Sequence, residues 1–443
     1  MVTIDPFTLG IIGIIVMFIL LSLGMHIGIV LALIGATGTA ILVGFHGASV
    51  SLAANFYHLV SKYVFSVVPM FVLMGILASE AGVGRKIYDT LSYWTGRLRA
   101  GLGIATVLAC AFFGSICGSS MITSAVFAKV AAPEMRRHGY SKSLAYGLCA
   151  SAGAIGMLIP PSILIVLYAI LTEESVGRLL VAGISPGLLL TIIFSTGLIV
   201  WSRIDRNLIK STETVAATWK QRFASLKDFW PVFTVGIITF GGIFGGIFTP
   251  TEAGAVACAA MVVLVFLIIR RGFKGIVAES LRETAKVTAM SFLILCGANM
   301  FAKFMGLSGV SQAALASILE IDMTPVQFIV VMCFVYLIMG CFFDALSMFA
   351  ITIPIVYPTV TALGIDPVWY AMSVILAVHI GLITPPVGMD VYGVKGVAPP
   401  DVTLEDCFRG VIPFVLMMSM ALAIIIAFPK VSTILPDLMF KPI

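Results

Sequence analysis

Residues 156–162 read Gly-Met-Leu-Ile-Pro-Pro-Ser and residues 381–386 read Gly-Leu-Ile-Thr-Pro-Pro, each in the middle of an apolar stretch, 143–171 and 367–394. A proline removes one backbone donor and leaves a helical carbonyl without its partner. A nearby glycine lets another backbone or a ligand come close. In water such a break would be a loop. Within an apolar run it is unwound backbone whose polar groups must be met by protein, water or ions. The two breaks lie 225 positions apart, and the same shift superposes other irregular residues. Pro133 meets Pro358, Gly139 meets Gly364, Gly156 meets Gly381 and Ser119 meets Asp344. Ser141 and Asp366, both suited to cap a helix N-terminus, also fall in register. The chain therefore carries an internal repeat.

The surroundings say what solvent the repeat lives in. Of 443 residues, 60% are hydrophobic and 11% charged, and the mean hydropathy is +1.12. A typical soluble domain is ~25% charged. Several apolar runs exceed ~18 residues, and they are continuous rather than alternating, which excludes a transmembrane β-barrel. The expected fold is an all-α polytopic membrane protein in a lipid bilayer. The eight cysteines are scattered through apolar runs and read as small buried hydrophobes, not a disulfide framework or metal site. No basic stripe with interleaved aromatics points to nucleic acid. The start, MVTIDPF, lacks the basic region of a cleavable signal, so the first run is expected to stay as a span.

Spans are expected near 6–25, 27–45, 64–82, 179–200, 231–248, 251–269, 285–306 and 410–428, with a polar linker at 202–228. The segments 101–130 and 325–357 are broken by glycine and polar residues. An amphipathic helix at 85–99, with Ile87, Leu91, Trp94 and Leu98 on one face, has a counterpart near 308–320. Such a helix suits the membrane interface. Basic residues fix orientation. Arg97 and Arg99 precede 101–142 while Arg136, Arg137 and Lys142 close it, so that segment enters and leaves on one face as a re-entrant hairpin. Only Lys62, Arg178, Lys303, Lys430 and Lys441 then lie outside, with both termini. The two copies run in opposite senses across the bilayer: an inverted repeat, common in secondary transporters with a midplane site.

The broken segments hold the chemistry: Gly114–Ser120 and Gly156–Ser162 in the first copy, Gly340–Ser347 and Gly381–Pro386 in the second. Carbonyls and hydroxyls at unwound turns coordinate Na+, and helix N-termini beside them favour an anion. No HExxH or P-loop GxxxxGK[ST] occurs, so metalloprotease and ATP-driven pump lack their central parts. A channel also uses broken backbone. Paired breaks in an inverted repeat favour alternating access.

Five stretches carry a family resemblance: GSICGSS (114–120), PEMRRHGYSKSLAYGLCASAGAIGMLIPPS (133–162), GGIFGGIFTPTEAGAVA (241–257), GCFFDALSMFAITIPIVYPTVTALGIDPVWY (340–370) and GLITPPVGMDVYGVKGVAP (381–399). Together they resemble the large membrane subunit of tripartite ATP-independent periplasmic (TRAP) transporters, over essentially the whole chain. The resemblance implies an elevator-type fold in a bacterial or archaeal inner membrane and Na+-driven uptake of organic anions, with no organic cofactor. It also implies two partners, a small four-helix membrane subunit and a soluble periplasmic substrate-binding protein. The corresponding divisions are scaffold helices 1–62, a span and arm 63–100, a transport half 101–200, linker and scaffold 201–275, a span and arm 276–322, a second transport half 323–430, and a tail 431–443. A stand-alone Na+/anion elevator symporter is the alternative, and a channel ranks behind it.

Carried over by position, one Na+ site would use Ser115, Ser119, Gly156, Ile159 and Pro161. A second would use Gly340, Asp344, Gly381, Thr384 and Pro386, giving at least two ions. The anion would meet Ser120, Thr123, Ser162, Ser347 and Asp390. Asp344 stands out, because a carboxylate in a broken intramembrane segment is functional by default; capping a helix is the lesser alternative and is compatible with that role. Two positions depart from the family pattern: His379, where a carboxylate or apolar residue is usual, and Asp390, where Asn is expected. His379 reads as a packing residue, Asp390 as one that tunes substrate choice or takes a proton. Glu252 in Thr249-Pro250-Thr251-Glu252 reads as a helix cap. The site segments contain no arginine to clamp a carboxylate, and a small C4-dicarboxylate or similar organic anion is the expected cargo.

Overall fold

A computed structural model describes residues 5–204, 217–269 and 273–440. Part of the expected linker, Arg270, Arg271 and Lys441 lie outside the described residues. Among those described, six helices are long and apolar enough to cross a membrane, or seven if the pair Lys142–Leu158 and Ile163–Thr172, bent by 48°, forms one span. The chain is an all-helical, multi-span protein.

Local sequence sets the helix starts. Pro6, Pro250, Pro325 and Pro367 each open a helix after a capping Asp or Thr. There the missing proline N–H costs nothing, and the cap oxygen meets a free donor. Ser141 and Asp366 cap as expected: Ser141 Oγ accepts from Leu144 N at 3.2 Å, and Asp366 Oδ1 from Val368 N at 2.8 Å. Thr249 and Glu252 form a reciprocal capping box.

Ile27–Val43 runs along the long helix Phe273–Ser308, where Gly28, Gly35 and Gly297 leave no room for a methyl between backbones. Small residues let membrane helices approach in this way. Val67–Glu80 packs along Pro250–Ile268. At the centre lies Pro367–Ile383, in which every residue from Val368 onward is buried. The helix Leu404–Ala427 packs on it and, on another side, on Lys142–Ala152. A helix apolar all round belongs inside. The eight cysteines are free and buried.

The first hairpin is Gly101–Cys117 and Ser120–Arg137, turning at Gly118 with φ +64°. The second is Pro325–Gly340 and Ala345–Ala362. The first arms have 17 and 16 residues, about 25 Å of helix against a hydrocarbon core of ~30 Å. Both Pro-Pro bonds, 160–161 and 385–386, are cis.

Three elements differ from the sequence reading. Phe45–Ser61 is a helix where a connection was expected; its Ser, His and Asn content hides it from a hydropathy window. Lys430–Met439, within the expected tail, is a helix docked on Val176–Ala182 through Arg178 and Asp437 at 3.4 Å. The expected span 231–248 is interrupted: Trp230–Gly236 passes into a π-wound turn at Ile237–Gly241 and ends by Phe244 among glycines. The arm helix runs Val83–Thr95, with Ile87 buried and Leu98 exposed beyond its end. Its counterpart is Val310–Glu320.

Candidate functional site

Each hairpin tip is joined to the break of its own repeat. In the first repeat Ile163 N, just past Pro160-Pro161, donates to Gly118 O at 3.2 Å. Gly118 lies so close that a Cβ there would sit 2.5 Å from Pro161 O. Below the tip Gly114 crosses Gly156 backbone to backbone, with no space for a methyl on Gly114. In the second repeat Val387 N, just past Pro385-Pro386, donates to Cys341 O at 3.2 Å. Gly340 crosses Gly381, where a methyl on either would come within 2.7 Å of the other Cα. The same construction has formed twice. The sequence missed these crossings because Gly114 and Gly340 fall one position off the 225-residue shift.

The first expected cation set is brought together in part. Ser119 is the N-cap of Ser120–Arg137 and is half-buried, its side chain making no capping bond. Its carbonyl accepts from Thr123 N at 3.1 Å and Thr123 Oγ1 at 2.7 Å. A Cβ on Gly156 would stand 3.1 Å from that same Thr123 hydroxyl. Gly156, Thr123, Ser119 and the Pro161 carbonyl beside Gly118 thus share one locality. Ser115 is half-buried, and its hydroxyl donates to Phe112 O at 2.7 Å within its own helix. The Ile159 side chain packs on Gly187 of Ile184–Ile204. Ser162 is fully buried and caps Ile163–Thr172, accepting from Ile165 N at 3.3 Å.

In the second set Asp344 caps Ala345–Ala362. It accepts from Ser347 N at 3.1 Å and takes a short hydrogen bond from Ser347 Oγ. The capping alternative for Asp344 is therefore realised, and its carboxylate still sits at the hairpin tip. Gly381 lies at the crossing with Gly340. Thr384 Oγ1 donates to Ile380 O at 2.5 Å, while Pro386 is exposed at the break. Among the described residues no cluster of three or more His, Cys, Asp or Glu could hold a metal, so oxygen donors at these tips are mainly backbone and hydroxyl.

Near the breaks, side chains of the two repeats meet. Ser120 Oγ donates to Asp390 Oδ1 at 3.0 Å, both residues being buried. His379 is fully buried, with Nδ1 2.7 Å from Ile375 O and Nε2 2.7 Å from Met157 Sδ. It packs against the first break, as a packing histidine should, and bonds to neither tip.

Ion pairs sort the ends of the helices. Arg136 meets Asp401 at 2.7 Å, and Lys142 meets Asp406 at 2.7 Å. The Arg136 guanidinium holds the Asp401 carboxyl below its ordinary range. Lys62 meets Glu173 at 3.9 Å, and Lys430 joins Arg178 around Asp437 at 3.7 Å. Arg178 and Lys430, both expected on the outer face, share one carboxylate. Near the second group a cavity of about 800 Å³ opens between Lys62–Phe65, Ala169–Gly177 and Thr249–Glu252. None of the expected site residues lines it.

Residues 14–431 match the family described as “Tripartite ATP-independent periplasmic transporter, DctM component”. A C4-dicarboxylate TRAP transporter large permease protein of Pseudomonas aeruginosa is 33% identical over 91% of this chain and 93% of its own length. An ectoine TRAP transporter large permease protein of Halomonas elongata is 29% identical over 95% of this chain and 97% of its own. Among solved structures, the Alcanivorax borkumensis YdaH transporter shares the fold with a TM-score of 0.63 at 15% identity, over 87% of this chain and 89% of that one.

Proposed function

The chain belongs to the DctM family of large permease subunits of TRAP transporters, and from that premise we propose that it carries a small organic acid inward across the bacterial inner membrane by Na+ symport. A permease of this family is a transporter, not an enzyme. The observation that carries the mechanism is the repeated joint between a hairpin tip and its Pro-Pro break, Gly118 with Ile163 and Cys341 with Val387.

Unwound carbonyls and hydroxyls at such joints suit Na+. The first ion binds near Ser119, Gly156 and the Pro161 carbonyl, with Thr123 beside them. The second binds near Gly340, Asp344, Gly381 and Thr384. Ser115 and Ile159 contribute through backbone alone, since their side chains are engaged elsewhere. The acid lies between the tips and the two breaks, among Ser120, Thr123, Ser162, Ser347 and Asp390. Ion binding closes each tip on its break, and the loaded half then moves.

The moving body comprises 101–200 and 323–430, and the remaining helices form the scaffold. The short first arms support a re-entrant reading of the hairpins. The ion pairs support a shared cytoplasmic end for Arg136, Lys142 and Asp401, and an outer end for Lys62, Arg178 and Lys430. The 800 Å³ cavity lies at that outer end, between moving and scaffold parts. A small membrane subunit completes the scaffold, and a periplasmic binding protein delivers the cargo, as the word tripartite in the family description suggests.

The test is uptake of labelled organic acids by proteoliposomes holding this chain and its small subunit, with and without a Na+ gradient and the binding protein. Uptake only with both supports the reading. Equal uptake without binding protein moves the chain to the stand-alone symporters. Flux in both directions without a gradient makes it a channel or uniporter.

A further inference from the structure

The second arm of each hairpin begins at a helix N-terminus, where unpaired N–H groups and the helix dipole favour negative charge. These are the positions where an anionic cargo would bind from the sequence reading. Both already have a carboxylate of the protein's own. Ala345–Ala362 has Asp344, supplied from its own N-cap. Ser120–Arg137 has a serine at its N-cap with no capping bond, and its carboxylate arrives from the other repeat as Asp390, bonded to Ser120 at the first helical position.

Asp390 also lies in the first turn of its own helix, Met389–Val397. Two helix N-termini therefore lie at a carboxylate with 2% exposure. They do not complete it. An ionised carboxylate offers about four lone-pair sites. Oδ1 accepts from Ser120, while Oδ2 is buried and has no hydrogen-bond partner among the described residues. No arginine, lysine or histidine among the described residues forms an ion pair with it. The next turn, at Gly393, packs on Met121, which fixes the helix against the hairpin. A buried acceptor in this condition needs a donor.

We infer that Asp390 determines specificity in the transport site: the cargo is an organic acid that also bears an ammonium or amidinium group, and Asp390 Oδ2 receives that group. The inference rests on the transport-site reading above. It changes the cargo from the expected dianion to a zwitterion. A dicarboxylate would bring its second negative charge against Asp390, whereas a zwitterion supplies the missing N–H donor and leaves its carboxylate for the hydroxyls and N–H groups near Ser162. The other possible source of positive charge is Na+ itself, and the experiment separates the two.

The purified complex of this chain with its small subunit is titrated calorimetrically with ectoine (an amidinium carboxylate), an α-amino acid and succinate, each in Na+ buffer. NaCl alone is followed by thermal melting. The expected wild-type result is binding of a zwitterion at least about tenfold tighter than succinate, the scale of one charged hydrogen bond. Asp390→Asn should lose that preference while the NaCl-dependent rise in melting temperature persists. Ser120→Ala, which keeps the charge and removes only its anchor, should fall between the two and guards against a folding defect in the first variant. Succinate bound more tightly than either zwitterion by the wild type overturns the inference. So does a preference unchanged in Asp390→Asn. Loss of the NaCl response in Asp390→Asn, with discrimination among acids intact, would make Asp390 a Na+ ligand and also overturns it. Absence of any NaCl response in the wild type would instead count against the underlying transport-site reading.

Discussion

The two hairpin tips share a backbone plan and differ in where their charge resides. At the second tip Asp344 caps its own helix and is bound by Ser347 N and Oγ. At the first tip the equivalent position is Ser119, uncharged and with no capping bond, and the carboxylate comes from Asp390 of the other repeat. A local carboxylate can neutralise an ion bound at its own tip without any change elsewhere. A borrowed one ties the first tip to the helix that follows the second Pro-Pro break. The repeat has kept its geometry and divided its electrostatics.

Removing the local charge should break the difference most strongly. Asp344→Asn keeps the cap geometry and removes the negative charge, and Na+-dependent uptake is expected to fall by about two orders of magnitude, for ~3 kcal/mol of lost charged interaction. Wild-type Na+ dependence in that variant would remove Asp344 from the site. The glycine crossings come next. Gly114→Ala places a methyl on the Gly156 backbone, and Gly340→Ala places one 2.7 Å from Gly381 Cα. Each should cost about 1–3 kcal/mol of overpacking, with the first the larger, read as a fall in melting temperature of the purified complex. Equal, negligible shifts would mean that the crossings are not close in the membrane.

Ser119→Ala is expected to raise the Na+ concentration for half-maximal uptake about tenfold or less, since one neutral hydroxyl contributes about 1 kcal/mol. An effect as large as that of Asp344→Asn would show the tips to be electrostatically alike. The smallest effect concerns the end at which Arg136 meets Asp401. Asp401 is held below its ordinary value by Arg136. Its contribution is therefore full above the ordinary carboxylate pKa and is lost as pH falls through the lowered one. Amide protection at residues 398–403, corrected for the intrinsic rise of exchange with pH, should fall only at acid pH, and Asp401→Asn should lower it already at neutral pH. A loss of corrected protection on raising the pH would contradict that sign.

Much of this architecture is legible in one sequence because membrane helices leave strong local signals. Proline after Asp or Thr starts helices at 6, 250, 325 and 367, and the Pro-Pro breaks announce themselves. Phe45–Ser61 is invisible for the opposite reason: its composition is mixed and its helix is held by neighbours. The candidate site is legible as segments, not as contacts. Ser119, Gly156 and Pro161 stand out through the family resemblance and fall in register with the second repeat, yet the turning of Ser115 to Phe112 O and of Ile159 to Gly187 depends on packing that no spacing encodes. The bond between Ser120 and Asp390 spans 270 positions. Periodicity cannot bring such a pair together; only the closure of one repeat on the other does.

The most direct measurement is a Na+ titration of thermal stability on the purified complex of this chain with its small subunit, compared between wild type and Asp344→Asn. Two coupled ion sites predict a steep wild-type dependence, with a Hill coefficient above 1 and at most about 2, flattening to about 1 when the second tip loses its charge. A wild-type melting temperature indifferent to Na+, or an identical steep response in both proteins, would contradict a cation site at each hairpin tip.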